Sequence, residues 1–374
     1  MLLLIFAITA IYLCLIGSFV YGFDKVSVFN PSDDERISKF SLIIPFRNES
    51  EHLKNLIRSI SELNYPESHF EVLLINDDSE DNSVSVIEKL KHQYKSLDLN
   101  IIDNERLSNA PKKDAITTGI KHAKYDWIAT TDADCTLPKY WLDIFDNYIQ
   151  RYNSKFMIGP VVFTNGNSFI DRFQILDLLS LQGTTIGSFG IDKPFMCNGA
   201  NLVYSKLFFN EVNGFEGNTD IASGDDVFLL QKAIKHKYKA HYIKSNHVTV
   251  GTSTEPNFKS LVSQRVRWAS KTSNYNSLFG KLTGLIVVGM NALLLCLPLF
   301  YLADFISLKS LIYIVFIKIM IDFLLIYKSA RFLEQEQFLV SFLSSSILYP
   351  FFCTYVVIIS VFSDYKWKGR QYSK

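Results

Sequence analysis

A mostly parallel α/β domain carried between membrane-crossing α-helices is the fold class this sequence predicts. Three observations predict it. Uncharged apolar runs at residues 2–23, 282–303 and 338–362 each exceed the roughly 18 residues that mark a membrane span. Between the first two, strand-like runs alternate with segments of helical spacing, the pattern of βαβ units. The strand-like runs are short and nearly all apolar, as strands buried on both faces are.

The chain has 374 residues, with 38 Lys plus Arg against 37 Asp plus Glu, a formal net charge of +1. That balance gives no general attraction for nucleic acid, which is not expected as a partner. Charged residues make up 20%, below the roughly 25% of an average soluble chain. Hydrophobic residues make up 48%, with 30 Phe and 19 Tyr, far too apolar for a disordered chain.

Residues 2–23 carry no basic residue ahead of the apolar core and no small-x-small cleavage site before Asp24. They read as a retained anchor rather than a cleaved signal. Residues 310–327 are a weaker further span, interrupted by Lys318 and Asp322, which sit four apart and can pair on one helix face. Cys14, Cys135, Cys197, Cys296 and Cys353 form no CxxC pair, so neither a disulfide framework nor a zinc site is expected.

Residues 40–45 form the first predicted strand, ended by Pro45. Leu53, Leu56, Ile57, Ile60 and Leu63 then recur at helical spacing, with Asn48 or Ser50 as the expected cap. Strands follow at 70–75, 99–102 and 127–131, separated by helices marked by Val84, Ile87 and Leu90 and by residues 110–123. Residues 156–163 read as one further strand and 202–204 as a short one. The segment 169–181 fits an amphipathic helix, either at the membrane surface or packed on the sheet. No GxGxxG follows the first strand, so a dinucleotide site is unsupported.

Ligands of such sheets bind at the carboxyl ends of the strands. Two of those ends carry acid pairs, Asp77/Asp78 and Asp132/Asp134. Two carboxylates in Asp132-Ala133-Asp134 suit a hard divalent cation shared with a phosphate; a solvated turn is the competing reading. Gly224-Asp225-Asp226 opens a helix; adjacent acids suit a proton acceptor near neutral pH, and equally a helix cap. In Gln264-Arg265-Val266-Arg267-Trp268, helical spacing puts Gln264, Arg267, Trp268 and Lys271 on one face and Phe258, Val262, Val266 and Ala269 on the other. A guanidinium there suits a pyrophosphate, and an indole suits a sugar ring.

Taken in order, these motifs resemble those of membrane-bound family 2 glycosyltransferases. Ser41-Leu42-Ile43-Ile44-Pro45-Phe46-Arg47-Asn48-Glu49 is similar to their first strand and turn. Asp77, Asp132-Ala133-Asp134, Gly224-Asp225-Asp226 and Gln264-x-x-Arg267-Trp268 resemble their D, DxD, D, QxxRW series. Cellulose, chitin and hyaluronan synthases and ceramide glucosyltransferases share the pattern.

The resemblance implies a GT-A domain and a set of roles. Asp77 would bind the uracil or ribose of a UDP-sugar. Asp132 and Asp134 would hold the nucleotide and a Mg²⁺ or Mn²⁺ ion. Lys113 would lie near the nucleotide, with Gln264 and Arg267 also on the donor side and Arg267 clamping the diphosphate. Asn198, Gly199 and Trp268 would meet the acceptor. Asp226 would be the general base; Asp225 stands where many members have Glu, so either of the two acids fits that role.

The implied activity is inverting transfer of a sugar from a nucleotide sugar to a membrane lipid or lipid-linked acceptor. A processive polysaccharide synthase and a non-catalytic nucleotide-sugar-binding scaffold are the alternatives. The expected layout is an anchor at 1–23, a cytoplasmic GT-A domain at 24–255, an interfacial helix at 256–280, spans at 281–363 and a basic tail at 364–374, all in the cell (inner) membrane. Lys366, Lys368, Arg370 and Lys374 against Asp364 place that tail in the cytoplasm by the positive-inside rule. Its Trp367-Lys368-Gly369-Arg370 is similar to the ending of related bacterial lipid-modifying transferases. Because Pro350 halves the last apolar run, a re-entrant hairpin is expected there, against a single kinked span with the tail outside.

Overall fold

The computed structural model describes residues 2–270, 276–362, 365–367 and 370–372. The chain opens with α1 (Leu2–Lys25), an apolar helix whose one basic residue in the last turn is Lys25. The main sheet starts with β1 (Phe40–Phe46), β2 (Phe70–Asn76), β3 (Leu99–Asp103) and β4 (Trp127–Thr130). The helices α2 (Leu53–Ser61), α3 (Ser83–Gln93) and α4 (Pro111–His122) connect them, and α5 (Trp141–Tyr152) follows β4.

These four strands are parallel, in the order β3-β2-β1-β4. Leu42, Ile43, Ile44, Val72, Leu73 and Leu74 are buried on both faces of the sheet, which is why their runs do not alternate. The helix after β1 differs at its start from the sequence expectation. Its cap position is His52, with no side-chain capping bond, while Asn48 takes a positive φ of 53° in the preceding turn.

The expected strand at 156–163 is two strands. β5 (Phe156–Ile158) joins the main sheet, and β6 (Val161–Phe163) leaves it to pair with β9 (Val250–Thr252). The break falls at Gly159-Pro160, where proline supplies no ladder donor. β7 (Leu202–Ser205) inserts antiparallel between β4 and β5, and β8 (Ala240–Tyr242) closes the edge. The short α7 (Lys206–Glu211) and α8 (Asp225–Lys235) lie between β7 and β8.

α6 (Phe169–Gly190) is longer than expected and lies between the sheet and the long apolar helices. Its glycines set how closely it packs on α1. A Cβ on Gly187 would sit 2.3 Å from the carbonyl oxygen of Phe19, and one on Gly22 would sit 2.1 Å from that of Gly187. The two helices therefore touch backbone to backbone, the close approach that small residues allow. On its other side, Gln182 accepts a hydrogen bond from the Tyr242 hydroxyl at 3.0 Å.

After the sheet come α9 (Phe258–Ser270), α10 (Leu278–Leu302), α11 (Leu308–Phe332) and α12 (Phe342–Phe362), then a hairpin of β10 (Tyr365–Trp367) and β11 (Arg370–Tyr372). Among the described residues, four helical segments, α1, α10, α11 and Glu336–Phe362, are long and apolar enough to cross a membrane. The expected hairpin in the last apolar run is not formed: α12 continues as one helix through Pro350.

Candidate active site

The carboxyl end of β4 and the amino ends of α4 and α8 converge on one cleft, at the strand ends where ligands of parallel sheets bind; Asp77, at the end of β2, is not among the residues that line it. Asp132 and Asp134 follow β4 directly, and both line a cavity of about 940 Å³. Asp132 lies 2.6 Å from Lys112 Nζ. Asp134 accepts a hydrogen bond from the Thr252 hydroxyl at 3.3 Å.

Gly224 takes a φ of 85° and starts α8, a conformation that glycine adopts without steric cost. This sets Asp225 and Asp226 on the first turn, both buried. Asp225 lies 3.3 Å from Lys112. Asp226 accepts from the Gly199 amide at 3.1 Å and from the Val227 amide at 2.7 Å. The loop that carries Gly199 is held by its neighbours. Asn198 Oδ1 accepts from the Ala200 amide, and Asn201 binds the Pro160 and Val248 carbonyls while accepting from the Trp141 indole.

Lys112 is the residue that sequence reasoning missed. Burial alone would push its ammonium pKa down, but the carboxylates of Asp132 and Asp225 outweigh that and hold it above its ordinary value. Lys113, expected near the nucleotide, donates instead to the carbonyls of Asn218 and Ile221 at 2.7 and 2.8 Å and sits over the Phe228 ring. Of the two, it is Lys112 that lines the cavity.

Asp77 ends up beside β2 under three donors. Asn104 Nδ2 lies at 2.8 Å, Arg106 Nε at 2.7 Å and an Arg370 guanidinium nitrogen at 2.6 Å from its carboxylate. Arg106 was not singled out in the sequence, and Arg370 only as part of the basic tail, because both contacts are tertiary.

On α9, Gln264, Arg267 and Trp268 all line the same cavity. Gln264 Nε2 donates to Glu255 at 2.8 Å. The Arg265 guanidinium lies 4.2 Å from the Trp268 ring centre and pairs with Asp177 at 2.7 Å. The other face meets α12, where Val262, Val266 and Ala269 pack with Phe352 and Val356. Phe258, expected on that face, stays half exposed against Phe352. Lys271 lies outside the described residues.

The cleft thus offers hard oxygen donors at Asp132 and Asp134, a buried cation at Lys112 and two further acids. Such a set suits a diphosphate and its counter-ion. Among the described residues no group of three or more His, Cys, Asp and Glu side chains gathers to hold a metal unaided.

Comparison with known proteins agrees with this chemistry. The model described as glycosyl transferase family 2 matches residues 41–211, and that described as glycosyl transferase family group 2 matches residues 127–327. A poly-beta-1,6-N-acetyl-D-glucosamine synthase of Staphylococcus epidermidis is 27% identical over 272 residues, 68% of this chain and 61% of that protein. The chain therefore spans less than two thirds of that relative. Glycosyltransferase AglE of Haloferax volcanii is 24% identical over 229 residues, 61% of this chain and 70% of that protein. Among solved structures, the mannosyltransferase PcManGT from Pyrobaculum calidifontis, in complex with GDP-Man and Mn²⁺, matches with a TM-score of 0.58 at 15% identity, over 97% of this chain and 99% of that one. At that identity the likeness speaks for the shared GT-A fold.

Proposed function

The chain belongs to the family 2 glycosyltransferases, and from that premise we propose that it moves a sugar from a UDP-sugar to a membrane lipid or lipid-linked acceptor with inversion. The observation that carries this reading is one continuous cavity. Asp132, Asp134, Asp226, Arg267 and Trp268 line it together with side chains from α1, α10, α11 and α12. A water-soluble donor and a membrane-borne acceptor can meet in such a space.

Asp77 serves the base or ribose of the donor. Asp132 and Asp134 suit a Mg²⁺ or Mn²⁺ ion: both are oxygen donors that line the cavity at the end of a strand, and diphosphate oxygens complete such a shell. Lys112 lies 2.6 Å from Asp132, and Asp132 and Asp134 together would hold the ion. When bound, the ion offsets charge on the leaving diphosphate.

The chain's own residues do the rest. Arg267 offers a planar guanidinium to the diphosphate, where negative charge grows as the bond breaks. Asp226 takes the proton of the acceptor hydroxyl. The hydroxyl oxygen bonds to the anomeric carbon from the face opposite the diphosphate, and the electron pair of the broken bond leaves with UDP. Trp268, held by Arg265, is the platform for the acceptor sugar or headgroup, with Asn198 and Gly199 beside it.

The domain and the tail share the cytoplasmic side in this reading. Arg172 of the sheet domain donates to Ser341 before α12, and Arg370 beyond α12 reaches Asp77. Both ends of that helix thus attach to one domain. A cysteine at Ser373, in a variant lacking the native cysteines, should resist a membrane-impermeant maleimide in intact cells.

Chain extension of a polysaccharide is a second reading, favoured by the likeness to the staphylococcal synthase. The deciding experiment supplies candidate UDP-sugars and Mn²⁺ to detergent-purified protein, measures UDP release, and weighs the product. One sugar on a lipid supports the first reading; long chains support the second.

A further inference from the structure

The membrane end of the cavity has a chemistry of its own. Lys318 Nζ lies 2.9 Å from Asp322, which also accepts from the Tyr12 hydroxyl at 2.6 Å. Lys318 is 2% exposed although it belongs to a candidate span. Ionisable side chains at such depth are rare and mark substrate paths. Arg265, nearer the catalytic cleft, is likewise matched by Asp177. With Arg267 facing the donor, every cation described at this end is already balanced by a carboxylate.

Two hydroxyls at the same end are not matched. Thr283 Oγ1 on α10 and Ser345 Oγ on α12 are buried, line the cavity and have no hydrogen-bond partner among the described residues. Buried polar groups normally have one. They therefore point to a ligand that carries neutral hydrogen-bonding oxygen or nitrogen.

A second groove, of about 560 Å³, adjoins the first. Its lining is almost wholly apolar, and Phe173 and Phe352 belong to both walls. It runs between α6, α9 and α12, with Phe169, Phe258 and Phe351 along it. Such a groove takes hydrocarbon chains.

We propose that the membrane end of the cavity binds an uncharged lipid acceptor, an acylated alcohol with ester, amide or hydroxyl groups at Thr283, Ser345 and Tyr12. Its chains lie in the adjoining groove, and its free hydroxyl faces Asp226. This rests on the glycosyltransfer reading above and narrows its acceptor. A phosphate-linked lipid is disfavoured, because its charge would stay buried without a counter-ion. The step balances as before: the lipid hydroxyl loses its proton to Asp226, its oxygen gains the anomeric carbon, and UDP leaves with the bonding pair.

The test uses the full chain in detergent micelles with the UDP-sugar that gives UDP release. Dioleoylglycerol and undecaprenyl phosphate are supplied separately, and lipid products are read by mass spectrometry. Sugar on dioleoylglycerol is the expected result. Sugar on undecaprenyl phosphate alone, or UDP release with no glycolipid, overturns the proposal and leaves the donor reading standing. No UDP release with any donor overturns both.

A cavity-filling variant supplies a second readout. Gly284 lines the cavity, and a Cβ there would meet no atom within 4 Å, so Gly284→Leu can be accommodated by the fold. It should raise the KM for dioleoylglycerol about tenfold while leaving hydrolysis of the UDP-sugar unchanged, about the effect of losing one good contact. An unchanged acceptor KM counts against the site.

Discussion

Arg370 and Asp77 are 293 positions apart in the chain, yet their guanidinium and carboxylate meet at 2.6 Å. The carboxylate assigned to the nucleotide base is thus occupied by the C-terminal hairpin. A base that needs the same oxygens competes with that guanidinium. Charge-assisted bonds of this kind contribute about 1.5–3 kcal/mol when intact, less when partly solvated. Arg370→Ala should therefore tighten UDP binding several-fold in calorimetry. Weaker binding would mean that the arginine assists the nucleotide instead.

Much of this was legible before any coordinates. β1 to β4 were visible because strands buried on both faces are short continuous apolar runs. What stayed hidden depended on contacts between distant residues. Lys112 and Lys113 sit side by side on α4, and composition gives no sign of which one turns to the cleft; burial beside Asp132 decides it. The helix expected at 169–181 runs on to Gly190, through Gly183, Gly187 and Gly190. They are where α6 meets its neighbours, α1 and α11. Pro350 looked like a division between two short helices, but α12 packs along α9 and α10 and holds its axis through the missing hydrogen bond.

Metal dependence should follow Asp134. Asp134→Ala removes an oxygen donor that lines the cavity at the end of β4; transfer should cease, and UDP should bind more weakly only when Mn²⁺ is present. Equal UDP affinity with and without EDTA in the native protein would remove the ion from the site.

The two adjacent lysines should separate function from stability. Lys112→Met leaves Asp132 and Asp225 without their shared cation, and UDP binding should change markedly. Lys113→Met loses the bonds to the Asn218 and Ile221 carbonyls from a side chain that is 1% exposed. Its cost should be about 2 kcal/mol or more of stability, read as a melting temperature lower by a few degrees. If Lys113→Met melts normally but loses UDP, the roles are the reverse.

Acid stability should depend on His241. Burial holds its imidazole pKa down at about 4, and Ser154 lies 2.5 Å from Nδ1. The unfolded chain takes up that proton near the ordinary value of about 6.5. A depressed folded pKa means the contribution is complete above pH 6.5 and is lost as the pH falls toward 4. His241→Gln should therefore flatten the fall in melting temperature across that window. A slope identical to the native one would show that His241 does not titrate there.

The last prediction concerns which acid takes the proton. Asp225 faces Lys112 at 3.3 Å, so its charge is engaged in holding the lysine beside Asp132. Asp226 is oriented by the amide of Gly199, on the loop that also carries Asn198, and by that of Val227 next to it on α8. Amide donors fix the direction of that carboxylate, and on this orientation it is assigned the base role. Asp226→Asn preserves shape and keeps one of the two oxygens that accept those amides, so UDP affinity should hold while turnover falls about a hundredfold or more. Asp225→Asn should instead disturb donor binding through Lys112. Full turnover in Asp226→Asn together with its loss in Asp225→Asn would move the base one residue back along the helix.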